Sequence, residues 1–89
     1  MLVHKKITVI GRVQGVGFRY STKSMAKLLK LNGFVRNKPD GTVYIEVEGE
    51  EAPLNEFISW CKKGPEYAIV KNVSITEDGI IGFDSFEII

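Results

Sequence analysis

The chain has 89 residues, 44% of them hydrophobic, with twelve basic and eleven acidic side chains for a formal charge of +1. That length holds one domain over 1–89 and not two, and the near-balance of charge argues against a non-specific nucleic-acid binder, which draws its affinity from surplus Lys and Arg. Cys61 is the only cysteine, which permits no internal disulfide and no cysteine-based metal cluster; with no apolar run long enough for a signal peptide or a bilayer span, a soluble, cytoplasmic protein is expected.

Val3, Ile7, Val9 and Val13 alternate with Lys6, Thr8 and Arg12, which predicts a first strand over roughly 5–13. Gln14-Gly-Val-Gly-Phe-Arg19 follows and is too rich in glycine for regular structure. Ser21 or Thr22 is then expected to cap a helix. Met25, Leu28 and Leu29 form its apolar face, and Lys23, Lys27 and Lys30 its wet one. Asn32-Gly33 is expected to end it, with Gly33 in the left-handed position. Phe34 to Asn37 reads as a short second strand, Lys38-Pro-Asp-Gly41 as a turn, and Val43, Ile45 and Val47 as a third strand with one wet face. Pro53 is expected to open a second helix, with Leu54, Phe57, Ile58 and Cys61 as its inner stripe and Gly64-Pro65 as its stop. Val70, Val73 and Ile75 suggest a fourth strand. After the Asp78-Gly79 turn, Phe86 and Ile88 suggest a last one.

This order predicts an α+β, ferredoxin-like βαββαβ sandwich: an antiparallel sheet, two helices on one face, and an extra C-terminal strand. Helix crossovers join parallel strands, so strands one and two should run the same way with strand three between them. The glycine loop and Asn37 then meet at one sheet edge, about 9.5 Å apart at two strand spacings. An Arg and an Asn can converge across that gap on one small ligand.

Gly15 and Gly17 permit positive φ, so successive N–H groups can cup an anion beside a helix N-terminus. Arg19 adds a planar, permanently charged fork matched to phosphate oxygens. Taken alone, the glycines are better explained by a tight strand-to-helix turn, since short glycine motifs recur by chance. The chain lacks the Gly-Lys-Ser/Thr of a Walker loop. A dinucleotide fingerprint fails as well, because Tyr20 stands where it needs a small residue and Val35-Arg36 where it needs an acid.

The residues go further than a generic loop. Gly11-x-Val-Gln-Gly-Val-x-Phe-Arg19 resembles the first signature of the acylphosphatase family. Gly33-Phe-Val-Arg-Asn37, Gly41-Thr-Val43 and Gly49 resemble the second, and Gly64-Pro65 with Ala68-x-Val70 is similar to the family's tail. The resemblance spans essentially the whole chain. It implies an enzyme that hydrolyses small acyl phosphates to carboxylate and inorganic phosphate. By motif position the phosphate would be bound by the loop Gln14, Gly15, Val16, Gly17, Phe18 and Arg19, through backbone amides and the Arg19 guanidinium. The Asn37 side chain would orient the attacking water. No metal or cofactor is implied, and the partners expected are substrate and phosphate only, with no nucleic acid, no membrane and a monomeric chain. The chemistry is consistent with so small a set of groups. A carboxylate whose acid has a pKa of about 4 leaves without protonation, and phosphoryl transfer asks mainly for positioning and charge stabilisation.

The remaining candidates receive plainer explanations. His4, at the far end of strand one, is read as structural or solvent-exposed. Asp40 is read as a turn residue, Glu46, Glu48, Glu50 and Glu51 as a solvated face, Cys61 as core, and Trp60 as packing at a helix edge. Arg12 and Arg36 flank the loop and are read as surface residues, with a local field for an anionic substrate as the alternative. Two other functions share this element order. An RNA-recognition module would need stacking aromatics on strand three, where Tyr44, Glu46 and Glu48 stand instead. A non-catalytic anion sensor could use the same loop.

Overall fold

Alternation in the strands produces a layer with one apolar face. In a computed structural model covering residues 1–89, the strands are β1 (Leu2–Arg12), β2 (Asn32–Asn37), β3 (Val43–Glu50), β4 (Ile69–Asp78) and β5 (Phe86–Ile88), and the helices are α1 (Phe18–Leu28) and α2 (Glu51–Lys63). Ile7, Val9, Val35, Val43, Ile45 and Val47 are fully buried on the inner face of the sheet. The helices cover that face with Phe18 and Ala26 from α1 and Leu54, Phe57 and Cys61 from α2. Each fully buried side chain of this kind contributes about 1.5–3 kcal/mol, and together they hold the ends of β1 and β2 in place. Neither helix is long and apolar enough to cross a membrane.

The strand order is β4-β1-β3-β2-β5. β3 lies between β1 and β2 and runs antiparallel to both, with Ile45 opposite Ile7 on one side and Val35 on the other. This is the expected ferredoxin-like arrangement. β5 pairs with β2 in parallel, so the five-stranded sheet is mixed and only its first four strands are antiparallel throughout.

Several boundaries differ from the sequence reading, each for a physical reason. α1 begins at Phe18, capped by Gly17 in the left-handed region at φ 77° and with no side-chain cap. Thr22, an expected cap, lies inside the helix, where its hydroxyl donates to the Phe18 carbonyl at 2.7 Å. The helix also ends early. Lys30 takes the left-handed position at φ 58°, while Lys30 N–H donates to Lys27 and Leu31 N–H to Ala26, the paired bonds of a Schellman motif. Gly33 belongs to β2, where a Cβ would run into the Glu46 carbonyl of the neighbouring strand. Pro53 is the third residue of α2, still within the first turn, where no N–H is needed.

The outer face of β3 is less wet than its carboxylates suggest. Residues 79–83 cross it, and Glu48, only 7% exposed, accepts backbone N–H groups from Ile81, Gly82 and Phe83. Glu46 is tied as well, accepting from the Tyr44 hydroxyl at 2.7 Å and lying 2.9 Å from His4 Nε2. Of the four glutamates read as a solvated face, Glu50 and Glu51 are exposed. Alternation gave no sign that a later segment would fold back over Glu46 and Glu48.

Candidate active site

β1 ends at Arg12 and the chain turns at once into the glycine loop. The loop is pinned at both ends, by Val13 at 1% exposure and Phe18 at 2%, both in the core. Between them Gly15 and Gly17 adopt φ 74° and 77°. A Cβ at either would meet nothing within 4 Å, so backbone conformation and not space calls for glycine there.

Asn37 is the last residue of β2, opposite Val43. Beyond it the 38–42 turn is closed by Lys38 N–H to the Thr42 carbonyl and by Asp40, which accepts from the Thr42 N–H at 3.0 Å and hydroxyl at 2.7 Å. These bonds, hydroxyl first, hold the Asp40 carboxyl below its ordinary range. Gln14 joins this turn to the loop, since its Nε2 donates to the carbonyls of Lys38 at 2.8 Å and Thr42 at 2.9 Å. One side chain thus sets the distance between the loop and Asn37.

Loop and strand end enclose a cavity of about 140 Å³. Val13, Gly15, Gly17, Phe18 and Arg19 form its loop side, Tyr20 stands at the rim, and Asn37 closes it from β2. A water molecule takes about 30 Å³ in the liquid, so a small anion with one or two waters fits. Of the residues assigned to the site from sequence, Gly15, Gly17, Phe18, Arg19 and Asn37 come together here. Gln14 and Val16 do not line the cavity, and the Gln14 amide is engaged as the clasp just described. Val13 and Tyr20 were not read as site residues. For Tyr20 the available signal was its place beside Arg19 in the first turn of the helix.

The electrostatics of the cavity are one-sided. The first turn of α1 carries no acidic residue, so its free N–H groups and positive dipole end are not neutralised from within. Arg19 takes part in none of the chain's ion pairs. Arg36 and Lys38 rest over the Tyr44 ring, 5.8 and 5.2 Å from its centroid, and Arg12 is exposed. Asn37 Oδ1 is buried with no hydrogen-bond partner. An acceptor in that condition costs about 1–3 kcal/mol, and it belongs to a residue that lines the cavity.

The conventional nucleophiles and bases lie elsewhere. Burial pushes the Cys61 thiol well up from its ordinary value. Tyr44, on the outer face, is pushed up to about 12 by burial and by its bond to Glu46. His4 is fully buried at the start of β1, with Nδ1 2.8 Å from the Gly79 carbonyl, which makes it part of the fastening of residues 79–83. The cavity is lined instead by the glycine loop, Arg19, Tyr20 and Asn37.

The chain matches the acylphosphatase family model over residues 5–88. It is 45% identical over 87 residues to an acylphosphatase of Archaeoglobus fulgidus, covering 98% of each chain. Against an acylphosphatase of Thermotoga maritima the identity is 48% over 83 residues, covering 93% of this chain and 92% of the relative. The crystal structure of the acylphosphatase from Bacillus subtilis superposes with a TM-score of 0.95 at 42% identity, covering 100% of this chain and 99% of that one. Fold, motif positions and these relatives agree over nearly the full length, and the chain belongs to the acylphosphatase family of enzymes.

Proposed function

We propose that the 140 Å³ cavity is where an acyl phosphate is hydrolysed, with Arg19 and the amides of Gly15 to Arg19 holding the phosphoryl group and Asn37 orienting the water. The observation that carries this reading is that Asn37, whose Oδ1 is buried without a partner, lines the same cavity as Arg19. A water donating to that oxygen has a lone pair free to point at phosphorus. The water oxygen forms a bond to phosphorus as the bond to the acyl oxygen breaks, and the bonding pair leaves with the carboxylate. The water's proton passes to a phosphate oxygen, so that carboxylate and inorganic phosphate are the products. In a loose transition state the charge on the phosphoryl oxygens is met by the Arg19 fork and the helix end.

The remaining expectations belong to the same reading. A monomeric enzyme is part of it. The free, buried Cys61 fits a reducing compartment and supports a cytoplasmic one. Residues 79–83 lie across the sheet face on which a nucleic-acid module would stack bases, which favours a small substrate alone. The test is hydrolysis of benzoyl phosphate, followed by ultraviolet absorbance in excess EDTA, for the wild type and Arg19→Ala. Turnover that survives EDTA and falls on the order of 10³-fold in the variant is the expected result. Near-normal activity in the variant contradicts the reading.

A further inference from the structure

A second hollow opens beside the phosphate cavity. It measures about 340 Å³ and lies between the helices, walled by Tyr20, Ser24, Met25 and Leu28 of α1, Trp60 of α2 and Pro65 just beyond it. None of these side chains is charged. Tyr20 lines both hollows, so the two are neighbours on either side of it. They are also joined underneath. Phe18, in the wall of the phosphate cavity, packs on Trp60 with ring centroids 5.5 Å apart, and Phe57 supports Trp60 from the core at 6.3 Å. Gly64 makes this approach possible: a Cβ there would come within 2.8 Å of Phe18 Cε2. The groove floor is therefore built as a rigid wall on the same phenyl ring that anchors the phosphate loop.

We infer that this groove is the subsite for the acyl half of the substrate, and that it takes an uncharged aliphatic or aromatic acyl group. The inference rests on the phosphate-site reading above. Its geometry follows from in-line displacement. Asn37 lines the cavity from β2 with its Oδ1 buried and Tyr20 lines it 73% exposed, so a water held by Asn37 sends the leaving carboxylate toward Tyr20. From Tyr20 the groove follows one face of α1 to Leu28, about 12 Å at 1.5 Å per residue, long enough for a six-carbon chain or a phenyl ring. Leu28 is 75% exposed, an apolar side chain with little to gain from the core and placed where an acyl tail would cover it.

The experiment compares acetyl phosphate with hexanoyl phosphate in the wild type and in Leu28→Ser, a surface change that leaves the core intact. Four extra methylenes, each worth up to roughly fourfold when fully buried, should give hexanoyl phosphate a kcat/KM about tenfold above acetyl phosphate in this open groove. Leu28→Ser should cut that preference about threefold and leave acetyl phosphate turnover unchanged. As an independent readout, Trp60 is the only tryptophan, and its emission should shift to the blue on adding hexanoyl phosphonate but not acetyl phosphonate. Acetyl phosphate turned over normally with no chain-length preference and no response of Trp60 overturns the subsite and spares the phosphate site. Failure of the wild type to hydrolyse either acyl phosphate removes both.

Discussion

Gly17 does two jobs with one dihedral angle. At φ 77° it ends the loop and starts α1, and in the proposed site the same turn offers the first free N–H groups of the helix to the phosphate. The cost of a side chain there is conformational and not steric, because a Cβ would meet nothing within 4 Å. Gly17→Ala should therefore destabilise the fold by only about 1–2 kcal/mol. Phosphate affinity should fall alongside, since relief of the strain turns the amides away. Urea unfolding and inhibition by inorganic phosphate measure the two effects, and a variant that loses stability but binds phosphate as before would separate Gly17 from the site. Asn37 is the opposite case, a residue whose side chain is satisfied by nothing in the protein. The motif positions in the sequence pointed to both residues. The Gln14 clasp was not legible, because it depends on where the Lys38 and Thr42 carbonyls come to lie in space.

At the scale of elements, the sheet brings distant parts of the chain to one edge. β3 between β1 and β2 puts the end of β1 and the end of β2 two strands apart, and hydrophobic alternation was enough to predict that order. What alternation could not predict was the helix boundaries, which are set by backbone geometry at Gly17 and Lys30 and not by the Ser, Thr and Asn-Gly residues nearby. Nor could it predict the parallel docking of β5 on β2 or the return of residues 79–83 over the sheet. The link between loop and strand is Gln14. Its replacement by Ala removes one donor from each of the Lys38 and Thr42 carbonyls, which keep their backbone partners within the turn, and frees the loop to drift from Asn37. A shift of this sort should lower kcat/KM roughly tenfold or more with little change in melting temperature. Unchanged kinetics would show that the loop keeps its place without the clasp.

Over the whole molecule, the carboxylates decide how stability responds to acid. Burial alone would push the Glu48 carboxyl up, but the N–H groups of Ile81, Phe83 and Gly82 outweigh it, with His4 adding to them, and hold it below its ordinary value of 4.5. Asp78, held by Lys6 and the Gly79 N–H, and Glu87, held by Ser85 and Lys23, move the same way, but both are exposed and salt-screened. A carboxyl whose folded pKa is depressed adds stability that is fully present above its unfolded pKa and is lost as pH falls through the folded one. The melting temperature should therefore hold near neutrality and drop progressively below about pH 4.5. Glu48→Gln should cost about 1–2 kcal/mol at pH 7, because a single amide oxygen meets three donors. It should also flatten the acid limb. Thermal melts of both proteins from pH 7 to pH 3 measure this, and parallel curves would mean that Glu48 does not carry the acid response.

The division of labour between Arg19 and Asn37 is the centre of the proposed mechanism, and it is tested most directly by measuring kcat on benzoyl phosphate together with inhibition by inorganic phosphate in Arg19→Ala and Asn37→Ala. The account predicts that Arg19→Ala loses on the order of 10³-fold in turnover and most of its phosphate affinity. Asn37→Ala should lose on the order of 10²–10³-fold in turnover and bind phosphate almost as the wild type does. Equal loss of phosphate binding in both variants would contradict it, because Asn37 would then hold the phosphate and not the water.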